Sequence, residues 1–278
     1  MRQQPTPAEG VILCADDFAI HASASEGIAD LAVAGRLSAT SVMVLSPRWP
    51  QDVALLRPLR GQLDVGLHLD WTSDFAMAAG HGLSLKAAML KALIGGFDPV
   101  SARTVIERQL DAFEAHWQAP PDFVDGHQHV QQFAGIRQAL VQALSSRYGS
   151  MSVNPYLRVS RAAPGDADVK SHIIAAMGAN AIEKIAGQAP LAYSKALLGI
   201  YDFSGSPARY AALMKGWLQA APTGGLIMCH PARQAETGDA IGQARAQEYA
   251  YLRSPQFADT LAEAGVQLVR GADSLRAH

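Results

Sequence analysis

The stretch VILCADDFAIHASASEGIADLAVAG, residues 11–35, indicates a strand followed by a helix, and this pair predicts the fold class. It opens with a short apolar run, VILCA, which predicts a buried strand. From Ala22 onward, small and apolar residues predict a helix that ends near Gly35, because glycine commonly follows the last helical turn. A buried strand followed directly by a helix is the repeating unit of parallel α/β folds.

The same alternation continues along the chain. Helical stretches such as residues 101–117 separate further strand candidates at 39–46, 63–71, 122–130, 156–160, 224–231 and 266–271. At least seven strands in this length favour a closed or nearly closed (β/α) barrel over an open sheet. We expect a single domain over residues 1–278, with residues 1–10 as an N-terminal extension. Residues 72–100 and 161–205 have weak periodicity, which predicts insertions near the rim of the barrel.

Composition excludes several classes of protein. Of the 278 residues, 49% are hydrophobic and 17% are charged, so we expect a large core rather than disorder. The net charge is −2 and no basic run exists, which argues against binding to nucleic acid or to an anionic membrane. The N-terminus lacks the apolar region of a signal peptide and no apolar run could span a membrane, so we expect a cytoplasmic protein. Cys14 and Cys229 lie in apolar runs and are expected to be buried thiols. The oligomeric state is open, with a homodimer as one alternative.

Chemically reactive side chains fall at the ends of the predicted strands. The carboxyl ends of the strands in a (β/α) barrel form one rim, and the active sites of such barrels lie there. Four separate parts of the chain contribute to this rim, namely Asp16 and Asp17, His68 and Asp70, Asp125 with His127 and His129, and His230. We therefore expect these groups to converge on one site.

Each of these groups also has a simpler interpretation. An aspartate pair after a strand often caps the next helix, and His68 could be a core histidine bonded to a backbone carbonyl. The alternation of Asp125, His127 and His129 could mark a solvated strand face. Their common position at strand ends favours the functional interpretation. The remaining histidines fall in helical or loop segments and are interpreted as surface residues: His21, His81, His116, His172 and His278.

A mixed set of aspartate and histidine suits a divalent catalytic metal ion. Such sites commonly use three protein ligands and leave one position for water. Imidazole suits zinc, cobalt or nickel, and carboxylate also accepts magnesium or manganese, so the residues leave the metal open. A metal ion, a water and a nearby carboxylate base are the minimum needed to hydrolyse an amide or an ester.

Four blocks of sequence resemble the YdjC-like family of carbohydrate deacetylases. They are ADDFA at 15–19, VGLHLDWT at 65–72, VDGHQHVQ at 124–131 and MCHP at 228–231. The resemblance covers most of the chain, and the order and spacing of the blocks make it specific. It implies a distorted (β/α) barrel, one divalent metal ion with magnesium or zinc favoured, and hydrolytic removal of an acetyl group from an N-acetylated mono- or oligosaccharide.

The resemblance also implies roles for individual residues. Asp17, His68 and His127 take the positions of the metal ligands. Asp16 takes the position of the general base, and His230 that of a general acid or of a donor to the transition state.

Four other residues are candidates for supporting roles. Asp125 and His129 are expected to orient His127 or to line the cleft, and Trp71 and Tyr201 are candidate platforms for stacking a sugar ring.

The chain departs from the family pattern at two positions. Ala19 stands where the family usually has glycine, and Gln131 replaces the last histidine of the third block. Neither is an expected ligand, so the core chemistry is retained. Two alternatives to the deacetylase interpretation remain: a hydrolase of another amide, an ester or a phosphoester on the same barrel, and a sugar-binding homologue without turnover.

Overall fold

The structure, a computed structural model, describes residues 10–151, 154–163, 169–189 and 191–275. The N-terminal extension expected at residues 1–10 and the C-terminal His278 lie outside this part of the chain, except for Gly10, which begins the first strand. The strands are β1 (Gly10–Phe18), β2 (Ala39–Val42), β3 (Asp64–Leu69), β4 (Phe123–Gly126), β5 (Tyr156–Leu157), β6 (Ala196–Leu198), β7 (Gly225–Cys229) and β8 (Gln267–Leu268).

Helices lie between successive strands. Their bounds are α1 (Ala22–Val33), α2 (Trp49–Asp52), α3 (Asp74–Ala78), α4 (Leu85–Ile94), α5 (Pro99–Trp117), α6 (Ile136–Tyr148), α7 (Val169–Ala176), α8 (Ala179–Gln188), α9 (Pro207–Ala220), α10 (Gly242–Arg253), α11 (Pro255–Ala264) and α12 (Gly271–Ser274). Short 3-10 turns cover Val53–Leu55, Arg57–Leu59 and His127–Gln132. Among the described residues no helix is both long and apolar enough to cross a bilayer.

The strands form one curled parallel sheet. Its order is β5-β4-β3-β2-β1-β7-β6, and β8 pairs with β1 beside this path. The gap between β5 and β6 is spanned by two isolated parallel bridges, Leu157 with Tyr193 and Ala162 with Leu197. The predicted barrel of about seven parallel strands is therefore confirmed, and its closure is irregular at this one place.

The centre of the sheet is buried on both faces, as is usual for parallel strands covered by helices. Every residue of β1 after Gly10 is buried, and so is all of β3. Glycine is required at position 66 of β3 by packing, because a Cβ atom there would lie 2.5 Å from the Phe123 ring of β4. The side chains that reach the carboxyl edge are thus held by a rigid core.

Two expectations about local structure were wrong. The predicted strand at 122–130 ends at Gly126, because Gln128 and His129 adopt left-handed backbone conformations with φ of 53° and 63°. The segment 161–205, interpreted as a rim insertion, contains α7, α8 and the core strand β6. The strand escaped notice because only three residues, Ala196 to Leu198, are involved.

Candidate active site

Two adjacent aspartates near the end of β1 enter the same cavity. The pairing of β1 with β2 shifts register between Ala15 and Phe18, and Asp17 has a φ of 67°. In a regular strand neighbouring side chains point to opposite faces, whereas an irregularity of this kind redirects them. Asp16 and Asp17 are both buried and both line the cavity. One strand thereby supplies two carboxylates to one site.

Asp17 meets two histidines from other strands. Its Oδ1 atom lies 3.4 Å from Nε2 of His68 and 3.1 Å from Nδ1 of His127. Ligand atoms of these three residues all lie within 4.8 Å of one another. Metal–ligand bonds of about 2.0–2.2 Å separate neighbouring ligand atoms by roughly 3 to 3.5 Å, so the three groups fit a small divalent ion. These are the three residues to which the sequence resemblance assigned the metal.

His68 is held in one orientation by a buried carboxylate. Its Nδ1 atom lies 2.6 Å from Oδ1 of Asp125, and an ionised carboxylate can only accept, so Nδ1 carries the hydrogen. Burial lowers the pKa of His68, but Asp125 and Asp17 outweigh it and raise the pKa to about 10. Because Nδ1 is engaged, Nε2 is the nitrogen directed at Asp17. Asp125 thus orients His68, whereas the sequence analysis had paired it with His127.

Asp16 is clamped by Arg158 from the segment after β5. The guanidinium donates from Nη1 to Oδ1 at 2.6 Å and from Nη2 to Oδ2 at 2.9 Å. Burial pushes the pKa of Asp16 upward, but Arg158 and nearby histidines overcome it and hold the pKa well below its usual range. Nη1 of Arg158 also lies 2.9 Å from Oδ2 of Asp125. The carboxylate expected to act as base is therefore ionised and fixed.

The second oxygen of Asp17 is bound by a cation from α10. Nη2 of Arg245 donates to Oδ2 of Asp17 at 2.6 Å, and its Nε donates to Asp239 at 2.7 Å. Asp239 in turn lies 3.3 Å from Nε2 of His21. His21 is partly exposed and also caps α1 by accepting the Ala24 amide, a structural role that its interpretation as a surface residue did not include. The oxygen of Asp17 that faces the histidines is thereby separated from the one that faces Arg245.

A left-handed turn replaces the strand face predicted for Asp125, His127 and His129. The turn sends His127 to Asp17, while Nδ1 of His129 lies 3.0 Å from Oγ of Ser160. Burial and the neighbouring Arg158 lower the pKa of His129 to about 3. His129 lines the cavity without reaching the Asp17 cluster.

Gln131 lies behind the site. It is fully buried, and its Nε2 atom donates to the Arg158 carbonyl at 3.1 Å and lies 3.2 Å from Oγ of Ser160. The residue that departs from the family pattern therefore supports the backbone of Arg158 and does not line the cavity.

His230, at the end of β7, stands on the other side of Asp16. Its Nε2 atom lies 3.9 Å from Oδ2 of Asp16, and its ring packs edge-on against Phe203 at 5.2 Å. Burial lowers the pKa of His230 to about 4. Its backbone amide donates to the buried carboxylate of Glu248, which also accepts from Tyr201 at 2.6 Å. This arrangement fixes the position of His230 at the cavity wall.

The cavity that contains these groups has a volume of about 470 Å³. Neither proposed sugar platform lines it. Trp71 is 2% exposed and packs against His81 and Phe97 in the core. Tyr201 is also buried, at 5% exposure, and Phe203 lines the cavity nearby.

A second acidic cluster, Cys14 with Asp16 and Asp125, is close enough to suggest a metal site. Arg158 already provides the cation there, because its guanidinium contacts both carboxylates. Burial raises the pKa of Cys14, which keeps the thiol protonated and makes it a poor ligand. Of the two groups, Asp17, His68 and His127 are therefore the one whose chemistry fits a metal ion.

The two arginines of the site were not predicted from the sequence. Arg158 had a signal, since it is a charged residue inside the apolar strand candidate at 156–160. Arg245 had none, because it lies in an amphipathic helix 228 positions from Asp17. Asp70, also expected at the rim, instead caps the following turn by accepting amides from Thr72 and Ser73.

Two curated proteins are similar to about half of this chain. Carbohydrate deacetylases of Mus musculus and Homo sapiens are 28% and 26% identical over 155 residues, which is 51% of this chain. The aligned region spans about half of those relatives, 49% and 47% of their lengths.

Solved structures share the fold across nearly the whole chain. A putative cellobiose-phosphate cleavage protein from Enterococcus faecalis V583 has a TM-score of 0.70 at 18% identity, covering 95% of this chain and 98% of the other. A family 4 carbohydrate esterase from Streptomyces lividans, in complex with acetate, has a TM-score of 0.50 at 11% identity, covering 97% of each chain. At these identities the likeness shows the fold alone. A family profile described as YdjC-like protein matches residues 10–263, and the chain therefore belongs to the YdjC-like family.

Proposed function

We propose that this protein is a metal-dependent carbohydrate deacetylase that removes the acetyl group from an N-acetylated mono- or oligosaccharide. The observation that carries the proposal is the convergence of Asp17, His68 and His127 in one cavity, with a second, ionised aspartate beside them. The names of the curated relatives support the same activity.

Asp17, His68 and His127 would hold the ion. Two imidazole nitrogens and one carboxylate oxygen favour zinc or a similar transition ion, while magnesium prefers an all-oxygen set. A bound divalent ion supplies polarisation of the acetamide carbonyl and lowers the pKa of water. The contact of Asp125 with Nδ1 of His68 leaves Nε2 available to the ion.

Asp16 is proposed as the general base. It adjoins Asp17 on the same strand, and the double hydrogen bond from Arg158 fixes its plane. A base must be ionised and correctly placed, and Arg158 provides both conditions. Asp16 would take the proton from the attacking water.

His230 is proposed as a hydrogen-bond donor to the transition state. It stands across the cavity floor from Asp16, 3.9 Å away, and its backbone is anchored through Glu248. A donor fixed at the position where charge develops stabilises the tetrahedral intermediate of acyl transfer.

The test combines metal analysis with acetate release from N-acetylated sugars. Stoichiometric metal binding should be lost in each of three variants, Asp17→Ala, His68→Ala and His127→Ala. Asp16→Asn should keep the metal and lose activity by about 10²- to 10⁴-fold, the range of a positioned base. Asp259→Asn, an exposed aspartate on α11, is the control and should match wild type in both measurements.

Two results would contradict the proposal. Wild-type metal content in all three ligand variants would remove the metal site. Release of phosphate rather than acetate from matched sugar esters would assign the same site to a different hydrolase.

A further inference from the structure

The cavity above the proposed metal site has two chemically different parts. Its floor carries the charged groups already described, whereas its walls are mainly apolar. Among the described residues, the apolar lining comes from seven segments and comprises Ile20, Leu85, Met89, Phe133, Ile173, Ile174, Met177, Ile200, Phe203, Met228, Ala240 and Ile241. Such a wall excludes water but offers few partners to the hydroxyl groups of a sugar chain.

The polar side chains of the lining are largely engaged with the protein itself. Arg158 and Arg245 each contact two carboxylates. Lys170 donates to the Tyr201 carbonyl at 3.0 Å, and Gln132 donates to the Ile174 carbonyl. Oε1 of Gln132 is an exception, since it has no hydrogen-bond partner, but a second hydrophilic sugar ring would still meet few free donors or acceptors above the floor.

Two helices that contribute to the apolar wall also expose large apolar side chains to solvent. The inner residues of α4 and α7 line the wall, and the outer residues of the same helices expose large apolar side chains. Leu93 and Ile94 of α4 are 71% and 76% exposed, and Val169 of α7 is 71% exposed. Exposed apolar side chains on helices that also line a pocket are compatible with an apolar ligand.

We propose that the substrate of this site carries a substantial apolar group next to its N-acylated amino sugar. The apolar walls from α4, α7 and the ends of β6 and β7 would enclose that group while the amide lies on the charged floor. This inference rests on the proposed deacetylase function and narrows its substrate class. The apolar group is either a long N-acyl chain or an apolar aglycone, and both would bury apolar surface against the wall.

The test uses two series of defined compounds, below their micelle-forming concentrations. One series is methyl, butyl and octyl glycosides of N-acetylglucosamine, and the other is N-acetyl-, N-butyryl- and N-octanoylglucosamine. Release of free amine reports turnover in both. Burial of each methylene should raise kcat/KM about fourfold until the wall is filled. A rise in the glycoside series assigns the wall to an aglycone, and a rise in the acyl series assigns it to the acyl chain.

Variants of the wall provide the specific control. Met89→Ser and Met177→Ser each place a hydroxyl on the wall, and each should lower the ratio of kcat/KM for the preferred octyl or octanoyl compound to that for its shortest analogue. Val33→Ser changes an exposed apolar residue at the end of α1 and should leave this ratio unchanged.

Failure of this inference differs from failure of the proposed function. Activity on the methyl glycoside with no gain along either series would overturn the apolar substrate class and leave the deacetylase intact. If no compound is turned over, calorimetry of the octyl and methyl glycosides with the metal-loaded protein still tests whether the wall binds an apolar group. Tighter octyl binding that Met89→Ser weakens supports the wall, and equal binding refutes it.

Discussion

Ala19 stands where the family usually has glycine, and its backbone explains why. Its φ is 72°, a left-handed conformation that is unfavourable for residues with a Cβ atom. The turn is fixed on both sides, since the Ala19 amide donates to Ser25 at 3.1 Å and its carbonyl accepts from Ser46 at 2.6 Å. The strain at Ala19 can therefore be measured by replacing it with glycine.

Ala15 provides a matched reference for Ala19→Gly. Both alanines are fully buried, but Ala15 lies in regular strand pairing with Thr40 and Cys229. Either substitution loses about 0.8 kcal/mol of methyl burial and about 0.4–1 kcal/mol of unfolded-state entropy. Only at position 19 does glycine also relieve roughly 1–2 kcal/mol of left-handed strain. Ala15→Gly should thus destabilise by about 1–2 kcal/mol, and Ala19→Gly should stay within about 1 kcal/mol of wild type.

Urea denaturation of wild type and both variants measures this difference in the free energy of unfolding. The expected gap between the two variants is about 1–2 kcal/mol, with Ala19→Gly the more stable. Equal destabilisation of the two would show that the turn at Ala19 carries no strain, and the structural reason for glycine in the family pattern would be lost.

Three further perturbations follow from the site. Asp125→Asn should weaken metal binding about 10- to 100-fold at pH 8, as measured by calorimetry. Asp64→Asn should leave metal binding unchanged, because Asp64 is equally buried but begins β3, at the other end of that strand from His68. Burial raises the pKa of Glu248 to about 7, so the folded protein keeps a proton that the unfolded chain releases above about pH 4.5. The free energy of unfolding should therefore fall by roughly 3 kcal/mol between pH 4.5 and pH 7. Glu248→Gln should remove this part of the pH dependence when denaturation is measured at pH 5 and at pH 7.5. Gln131→His should keep one metal per chain and change only the kinetics, because Gln131 contacts the Arg158 carbonyl; a change in metal stoichiometry would contradict this.

The convergence of the site could be predicted because parallel strands end at one edge of a sheet. That rule alone brings Asp17 of β1 and His68 of β3 together, since β2 is the only strand between them. It fails after Gly126, where the alternation of polar residues predicts a strand and the chain instead makes a left-handed turn. The alternation of side chains along the sequence gives only their spacing. It does not indicate that Gln128 and His129 adopt positive φ angles.

The arginines explain why two adjacent carboxylates can be buried together before a metal ion binds. An unpaired buried carboxylate is strongly unfavourable, but each aspartate here has its own guanidinium partner. The two pairings differ in geometry. Arg158 engages both oxygens of Asp16, whereas Arg245 contacts only Oδ2 of Asp17 and leaves Oδ1 facing the histidines. This asymmetry supports the proposed division of roles, with Asp17 as a metal ligand and Asp16 in proton transfer, since of the two only Asp17 presents an oxygen that no arginine holds.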